Sequence, residues 1–184
     1  MDHILSTYRL QLNKDFTFKE LDSILYYLKE LGVNTIYASP VFKAVAGSNH
    51  GYDVLDPTVV NPEIGSYEAF IDLLKKIQAD GMYWLQDIVP NHMGFFPENP
   101  WIFDILEKGR RSNYVAYFDI NFDQGQLMLP FLGAPLHDVI QNNELKCGYK
   151  EGRLVLQYFD ATWPVNARTY ELVLQQFKED STAL

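Results

Sequence analysis

The stretch Met82-Tyr83-Trp84-Leu85-Gln86-Asp87-Ile88-Val89-Pro90-Asn91-His92 decides how this chain reads. The largely apolar run from Met82 to Val89 predicts a β-strand that delivers an acid, an amide and an imidazole at its carboxyl end. Ile88 and Val89 set Asp87 apart from the polar tip, and Pro90 stops the strand so that Asn91 and His92 open a loop. In parallel α/β folds, ligands bind beyond the carboxyl ends of the strands. Function is expected at this end of the sheet.

Upstream, Ile4 to Leu12 alternates in part, with Tyr8, Leu10 and Leu12 against Arg9 and Gln11, and predicts a first strand. Phe18, Leu21, Ile24, Leu25, Leu28 and Leu31 fall on one helical face, and Gly32 stops that helix. Asn34 to Ser39 is a short buried strand ended by Pro40. Ser66 caps a second helix, whose apolar positions Phe70, Leu73, Leu74 and Ile77 run toward Gly81. Strands alternating with helices of this length imply a parallel sheet. Three strands do not close an eight-fold barrel, which takes about 250 residues, or about 200 at the least. The chain is therefore either a small open α/β sheet or the front part of something larger.

Beyond Pro97 the rhythm is lost. Asn99-Pro100 opens a helix from Trp101 to about Lys108, Tyr114 to Phe122 is aromatic and strand-like, and Leu127 to Leu132 is a second apolar stretch. Pro135 to Leu145 predicts a helix. Lys146 to Lys150 with Arg153 to Phe159 predicts a hairpin turning at Glu151-Gly152, and Asn166 to Lys178 a last helix. No internal repeat or low-complexity tract occurs.

The 184 residues are 47% hydrophobic, enough for a sizeable core. A net charge of −9 argues against a nucleic-acid partner, which needs clustered Lys and Arg. Arg110-Arg111 is the one dense basic spot, and it reads as a solvated helix end complementing the helix dipole. The single cysteine, Cys147, builds neither a disulfide nor a thiolate metal site and fits a reducing compartment. The start Met1-Asp2-His3-Ile4 lacks a basic segment followed by an apolar one, and no apolar run reaches the ~18 residues that span a bilayer. These features predict a cytoplasmic protein with no membrane partner. The 15% aromatic content suits a core, and also suits sugars, whose C–H faces stack on rings.

A second cluster, His50-Gly51-Tyr52-Asp53-Val54-Leu55-Asp56-Pro57, lies in a connection of roughly 25 residues between Pro40 and Ser66, far longer than usual. In a parallel sheet this loop leaves the same edge as Asn91 and His92, so His50, Tyr52, Asp53, Asp87 and His92 are expected to converge. Each has a plainer reading. Asp87 could pair with a buried Arg, and His92 could cap or sit satisfied in the core. Tyr52 could be core packing, and Asp53 and Asp56 could form Asx-turns around Pro57. Together these readings weaken, because both loops crowd polar groups onto one ligand-binding edge.

The chain resembles the N-terminal part of an α-amylase superfamily glycoside hydrolase of the family 13 type. The resemblance is carried by Ser6-Thr7-Tyr8-Arg9-Leu10-Gln11-Leu12, by Leu31-Gly32-Val33 and Tyr37-Ala38-Ser39-Pro40-Val41-Phe42-Lys43, and by Gly47-Ser48-Asn49-His50-Gly51-Tyr52-Asp53-Val54 with Asp56-Pro57. Asn61-Pro62-Glu63-Ile64-Gly65 and Asp87 to Met93 complete it. The resemblance is strong over residues 5 to 95 and looser afterwards, at Leu129-Pro130-Phe131-Leu132-Gly133. Within the superfamily, Thr-Tyr-Arg-Leu-Gln with Ser-Asn-His-Gly-Tyr-Asp narrows it to enzymes that move the reducing-end glucose of a maltooligosaccharide from an α-1,4 to an α-1,1 linkage within one molecule.

The resemblance implies an α/β fold: the first three βα units of a TIM (β/α)8 barrel over residues 1–97, with parallel strands, and an α+β domain inserted after strand three over residues 98–184. It implies that Tyr52 stacks against the glucose at the reacting subsite and that His92 hydrogen-bonds its hydroxyls. Asp87 would hold an Arg from a later strand and Asn91 would shape the loop. Arg9, His50 and Asp53 would lie near the site. The implied partners are a maltooligosaccharide and the rest of the catalytic domain; no cofactor or metal is implied.

Retaining chemistry needs two carboxylates roughly 5–5.5 Å apart, one a nucleophile and one an acid/base. By the resemblance these come from later strands, so no catalytic residue is expected in this chain and both are expected after Leu184. Asp160, Glu171, Glu179 and Asp180 read as surface charges, and the isolated chain is expected to be inactive. Two rivals remain: another α-amylase-type hydrolase or transglycosylase, and a non-catalytic maltodextrin-binding module. Metal-assisted hydrolysis by His50, Asp53, Asp87 and His92 lacks a compact ligand spacing.

Overall fold

A computed structural model describes residues 6–125 and 127–175. They fall into two compact units, Met1–Phe95 and Phe96–Leu184. In the first, β1 (Thr7–Leu10) leads to α1 (Phe18–Glu30) and β2 (Thr35–Ala38). A hairpin of β3 (Phe42–Ala44) and β4 (Val54–Val60) follows, then α2 (Tyr67–Ala79) and β5 (Tyr83–Gln86).

The helices begin where side chains replace the backbone acceptors that a first turn lacks. Thr17 accepts from the Lys19 amide while the Glu20 carboxylate accepts from the Thr17 amide, a reciprocal cap on α1. Ser66 accepts from the Ala69 amide on α2. Both helices end before a glycine with positive φ, Gly32 at 83° and Gly81 at 72°.

Strands β1, β2 and β5 form a parallel sheet in that order. Its register aligns Tyr8, Ile36 and Trp84, then Leu10, Ala38 and Gln86, on one face. On the other lie Thr7, Thr35 and Tyr83, then Arg9, Tyr37 and Leu85. Helices α1 and α2 cover the first face: Leu21, Leu25 and Leu28 of α1 and Leu73 and Ile77 of α2 are buried with Ile36 and Ala38 in one core. Among the described residues no helix packs on the second face, and Leu85 is 43% exposed there.

Several expectations shift. The third strand stops at Gln86 rather than Val89, with Asp87 adding one more ladder bond from its amide to the Ala38 carbonyl. Pro40 supplies the reason: the Asp87 carbonyl would next accept from the amide of residue 40, and proline has no N–H to give, so the Gln86 side-chain amide donates to that carbonyl instead, at 2.8 Å, and to the Ser39 carbonyl at 3.1 Å. The first strand is likewise shorter, Thr7–Leu10, and its expected start at Ile4 lies outside the described residues. The long connection after β2 is not a plain loop. It folds as the bulged antiparallel pair β3–β4, with Lys43 opposite Asp56 and Ala44 opposite Val54.

In the second unit, α3 (Pro100–Lys108) starts at Asn99, whose side chain accepts from the amides of Trp101 and Ile102. The aromatic segment 114–122 is not a strand. Its 3₁₀ turn at Val115–Tyr117 brings Tyr114 and Tyr117, three residues apart, to one side, and each ring centroid lies 5.1 Å from that of Trp101. Helix α4 (Leu136–Gln141) is shorter than expected because Leu145 belongs to β6 (Leu145–Lys150). The hairpin of β6 and β7 (Arg153–Tyr158) turns at Glu151-Gly152, both with positive φ as its two-residue turn demands. A third strand, β8 (Ala161–Pro164), escaped the sequence reading. The last helical segment opens as a 3₁₀ turn at Ala167–Thr169 and continues helical through residue 175; the rest of its expected span, with Glu179 and Asp180, lies outside the described residues. Ile105, Val139, Val155 and Trp163 are buried in this unit.

Candidate functional site

Parallel pairing puts Arg9 beside Tyr37 on the uncovered face, and Asp87 follows Leu85 by one pleat on the same side. The hairpin loop between β3 and β4 brings Tyr52 over them. Asp87 Oδ2 accepts from the Tyr52 hydroxyl at 2.5 Å, the Tyr37 hydroxyl at 3.2 Å and the Arg9 guanidinium at 3.4 Å. Arg9 also donates to the Tyr52 oxygen at 2.5 Å, and its guanidinium carbon lies 5.1 Å from the Tyr37 ring centre. One carboxylate oxygen thus ties together three strands' ends and a loop.

This network is half open to water. The Asp87 side chain is 17% exposed and that of Arg9 37%, so their ion pair at 3.4 Å adds little stability by itself. The shorter phenol-to-carboxylate bond is the stronger contact. The hydrogen bond to Asp87, helped by burial, holds the Tyr52 phenol above its ordinary pKa against the opposing pull of Arg9. For Arg9, burial works to lower the pKa, but the bonds to Tyr52 and Tyr37 and the charge of Asp87 outweigh it and raise the value. With Oδ2 accepting from three donors, Asp87 is a brace rather than a free base.

The loop that carries Tyr52 is held from several sides. His50 Nδ1 accepts from the Tyr52 amide at 3.0 Å, and the two rings stack at 5.9 Å. The Ser48 hydroxyl donates to Asp53 Oδ1 at 2.5 Å and accepts from the Gly51 amide at 3.1 Å. Gly51 has φ +73°, and a Cβ there would lie 2.9 Å from the Pro40 carbonyl oxygen, so only glycine fits. Gln11 donates to the Asn49 carbonyl at 2.8 Å, and the Gly94 amide donates to the Val54 carbonyl at 2.8 Å.

The expected convergence of five residues is realised in part. Tyr52 and Asp87 meet. His50 and Asp53 lie 3.8 Å apart and serve the turn under Tyr52. Asn91 and His92 are exposed at the loop tip, with His92 Nδ1 2.8 Å from Asn91 Oδ1. With Asn91 Oδ1 as the acceptor, Nδ1 is the donor of this contact, and Nε2 makes no hydrogen bond to another described residue. Among the described residues, no hydrogen bond or ion pair joins His92 to Tyr52, Arg9 or Asp87. Within this chain the guanidinium at Asp87 is that of Arg9, from the same sheet.

Tyr37 went unread in the sequence. Its signal was positional: Arg9 and Tyr37 occupy equivalent places in two parallel strands. Asp56 behaves as the plainer reading predicts, its carboxylate accepting from the Thr58 amide at 2.9 Å. Asp160 and Glu171 are exposed in the second unit. Among the described residues, no three His, Cys, Asp or Glu side chains gather closely enough to hold an ion, and no helix is long and apolar enough to cross a membrane.

Comparisons with known proteins bear on this geometry. The family model of the α-amylase catalytic domain matches residues 17–184. A Mycobacterium tuberculosis protein described as a maltooligosyl trehalose synthase is 43% identical over 140 residues, covering 71% of this chain and 18% of that protein. A crystal structure of a maltooligosyl trehalose synthase superposes with a TM-score of 0.84 at 40% identity, covering 92% of this chain and 24% of that one. The maltooligosyltrehalose synthase of Arthrobacter ramosus gives 0.78 at 37% identity, covering 89% and 21%. The chain spans less than a quarter of the length of each. At these scores the parallel β1–β2–β5 sheet and its covering helices have a TIM-barrel-type fold, and the chain belongs to the α-amylase catalytic domain family.

Proposed function

We propose that this chain forms part of the substrate cleft of a maltooligosyltrehalose synthase, the first three βα units of its barrel (residues 1–97) with an inserted α+β subdomain (98–184). The whole enzyme rearranges the reducing-end α-1,4 linkage of a maltooligosaccharide to α-1,1. The displaced glucose is retained and turned, and takes the place of water as second nucleophile. The observation that carries this reading is the single Asp87 oxygen gathering Tyr52, Tyr37 and Arg9 at the strand ends. A phenol pinned through its hydroxyl presents a fixed ring face, and glucose stacks its C–H face on such a ring.

In this reading Tyr52 is the platform for the reacting glucose, with His50 stacked against it. His92 hydrogen-bonds the sugar's hydroxyls, and Asn91, 2.8 Å from its ring, shapes the loop. Arg9 and Asp87 keep the platform still, and Asp53 braces the turn. The nucleophile and the acid/base come from outside this chain, which supplies none. The lone thiol of Cys147 suits a reducing, cytoplasmic setting.

The test is kinetic. In the full-length enzyme, Tyr52→Ala and His92→Ala each lower the rate on maltopentaose by about 100-fold or more, as loss of positioning does. The 184-residue chain alone gives no non-reducing product by chromatography. Near-normal kinetics in both variants, or turnover by the isolated chain, overturns the reading.

A further inference from the structure

Outside the Asp87 cluster, the second unit carries a cavity of about 720 Å³ whose lining includes Ile105, Leu106, Phe122 and Leu129 together with Arg110, Arg111 and Arg168. That is the size of a small-molecule site. The sequence presents Arg110-Arg111 as a solvated helix end; the fold adds Arg168, which comes from a segment far along the chain. Three guanidiniums around one apolar floor is an unusual arrangement in a chain of net charge −9.

The arginines differ in what they already do. Arg110 is engaged, 2.5 Å from Asp123 and lying over the Phe122 ring at 5.2 Å. Arg111 and Arg168 have no acidic partner among the described residues, and both are exposed. Asn166 anchors the backbone turn that carries Arg168. Its side chain donates to the Leu106 carbonyl at 3.5 Å and accepts from the Arg168 amide at 3.0 Å, which ties the turn at Ala167–Thr169 to the end of α3. Gly109 makes room: it has φ +59°, and a Cβ there would approach Asn166 Nδ2 at 3.3 Å. Two cations without an acidic partner line the same cavity as an apolar floor, a combination that suits an anion joined to a flat, apolar body.

We propose that this cavity binds a small phosphomonoester carrying a planar ring, with Arg111 and Arg168 on the phosphate and the ring on Ile105, Leu106 and Leu129. Guanidiniums match phosphate geometry and form charge-assisted bonds. The apolar floor favours a planar base over a hexose. The inference rests on the second unit alone and does not depend on the proposed reaction.

Calorimetric titration of the 184-residue chain at low salt with adenosine monophosphate, adenosine, inorganic phosphate and glucose 6-phosphate tests it. Adenosine monophosphate binds with a Kd of about 1 mM or tighter, and the other three bind at least about tenfold more weakly. Arg111→Gln and Arg168→Gln each weaken it by about tenfold or more, with unchanged circular dichroism, and Arg168→Lys recovers part of the loss. Absence of saturation at about 10 mM, or equal affinity in the Arg111→Gln/Arg168→Gln double variant, overturns the site. Phosphate or glucose 6-phosphate binding as tightly as adenosine monophosphate overturns the assignment of the floor.

Discussion

The hydroxyl of Tyr52 donates to Asp87 Oδ2 across 2.5 Å, joining a hairpin loop to the end of a parallel strand 35 residues further on. That bond positions the loop that folds over the uncovered sheet face. It also gives the site a titratable signature.

The Tyr52 phenol stays protonated above its ordinary value of about 10, because its hydroxyl donates to the Asp87 carboxylate and is partly buried. A group whose folded pKa is raised adds stability that is complete below the unfolded value and is lost as pH rises through the folded one. Ultraviolet phenolate titration therefore shows one tyrosine ionising late, and Tyr52→Phe removes that last step. If the two titrations coincide at high pH, Tyr52 is not held this way.

Asp87→Ala strips Tyr52, Tyr37 and Arg9 of their common acceptor at once. It costs about 1.5–3 kcal/mol in urea unfolding, the scale of a hydrogen bond to a charged group. Asp87→Asn keeps an acceptor oxygen and costs less. Equal losses in the two variants would show that the carboxylate's charge matters more than its geometry.

Gly51→Ala and Gly81→Ala separate backbone strain from collision. Both glycines have φ near +70°, but the added methyl at Gly81 meets nothing within 4 Å, whereas at Gly51 it lies 2.9 Å from the Pro40 carbonyl oxygen. Gly81→Ala costs about 1 kcal/mol. Gly51→Ala costs more and also moves Tyr52, so it perturbs the late tyrosine titration while Gly81→Ala leaves it intact.

In the second unit the Asp104 carboxyl titrates below its ordinary value. Burial pushes it upward, but the bonds from Lys108 and the Ser112 hydroxyl outweigh that. A depressed folded pKa adds stability that is present above the unfolded carboxylate value and is lost as pH falls through the folded one. Asp104→Asn should therefore destabilise the chain at neutral pH and converge with the parent in acid, as followed by thermal melts. A difference that persists unchanged at low pH would assign the effect to packing.

The two helices of the first unit were legible because their signals are local. Thr17 with Glu20, and Ser66, cap the starts, one apolar stripe runs along each, and Gly32 and Gly81 take the positive φ at the ends. The β6–β7 hairpin was legible for the same reason at Glu151-Gly152. Strand β8 and the β3–β4 pair were not, since each exists only by pairing with a neighbour and neither alternates cleanly enough to announce itself. The aromatic segment 114–122 misled because Tyr and Phe favour strands, whereas here Trp101 draws Tyr114 and Tyr117 into a turn.

By itself the sequence determined the alternation of strand and helix, the edge where polar residues gather, and the family. These depend on periodicity, capping and motif, which are written locally along the chain. Only the tertiary structure decided which residues at that edge touch. Arg9 and Tyr37 reach Asp87 because parallel register sets them on one face, and Tyr52 reaches it because Gly51 lets the loop close on Pro40. His92, as prominent in the sequence as Asp87, stands apart with Asn91, because the ladder ends at Asp87, where Pro40 has no N–H to continue it, and that loop lies beyond the ladder.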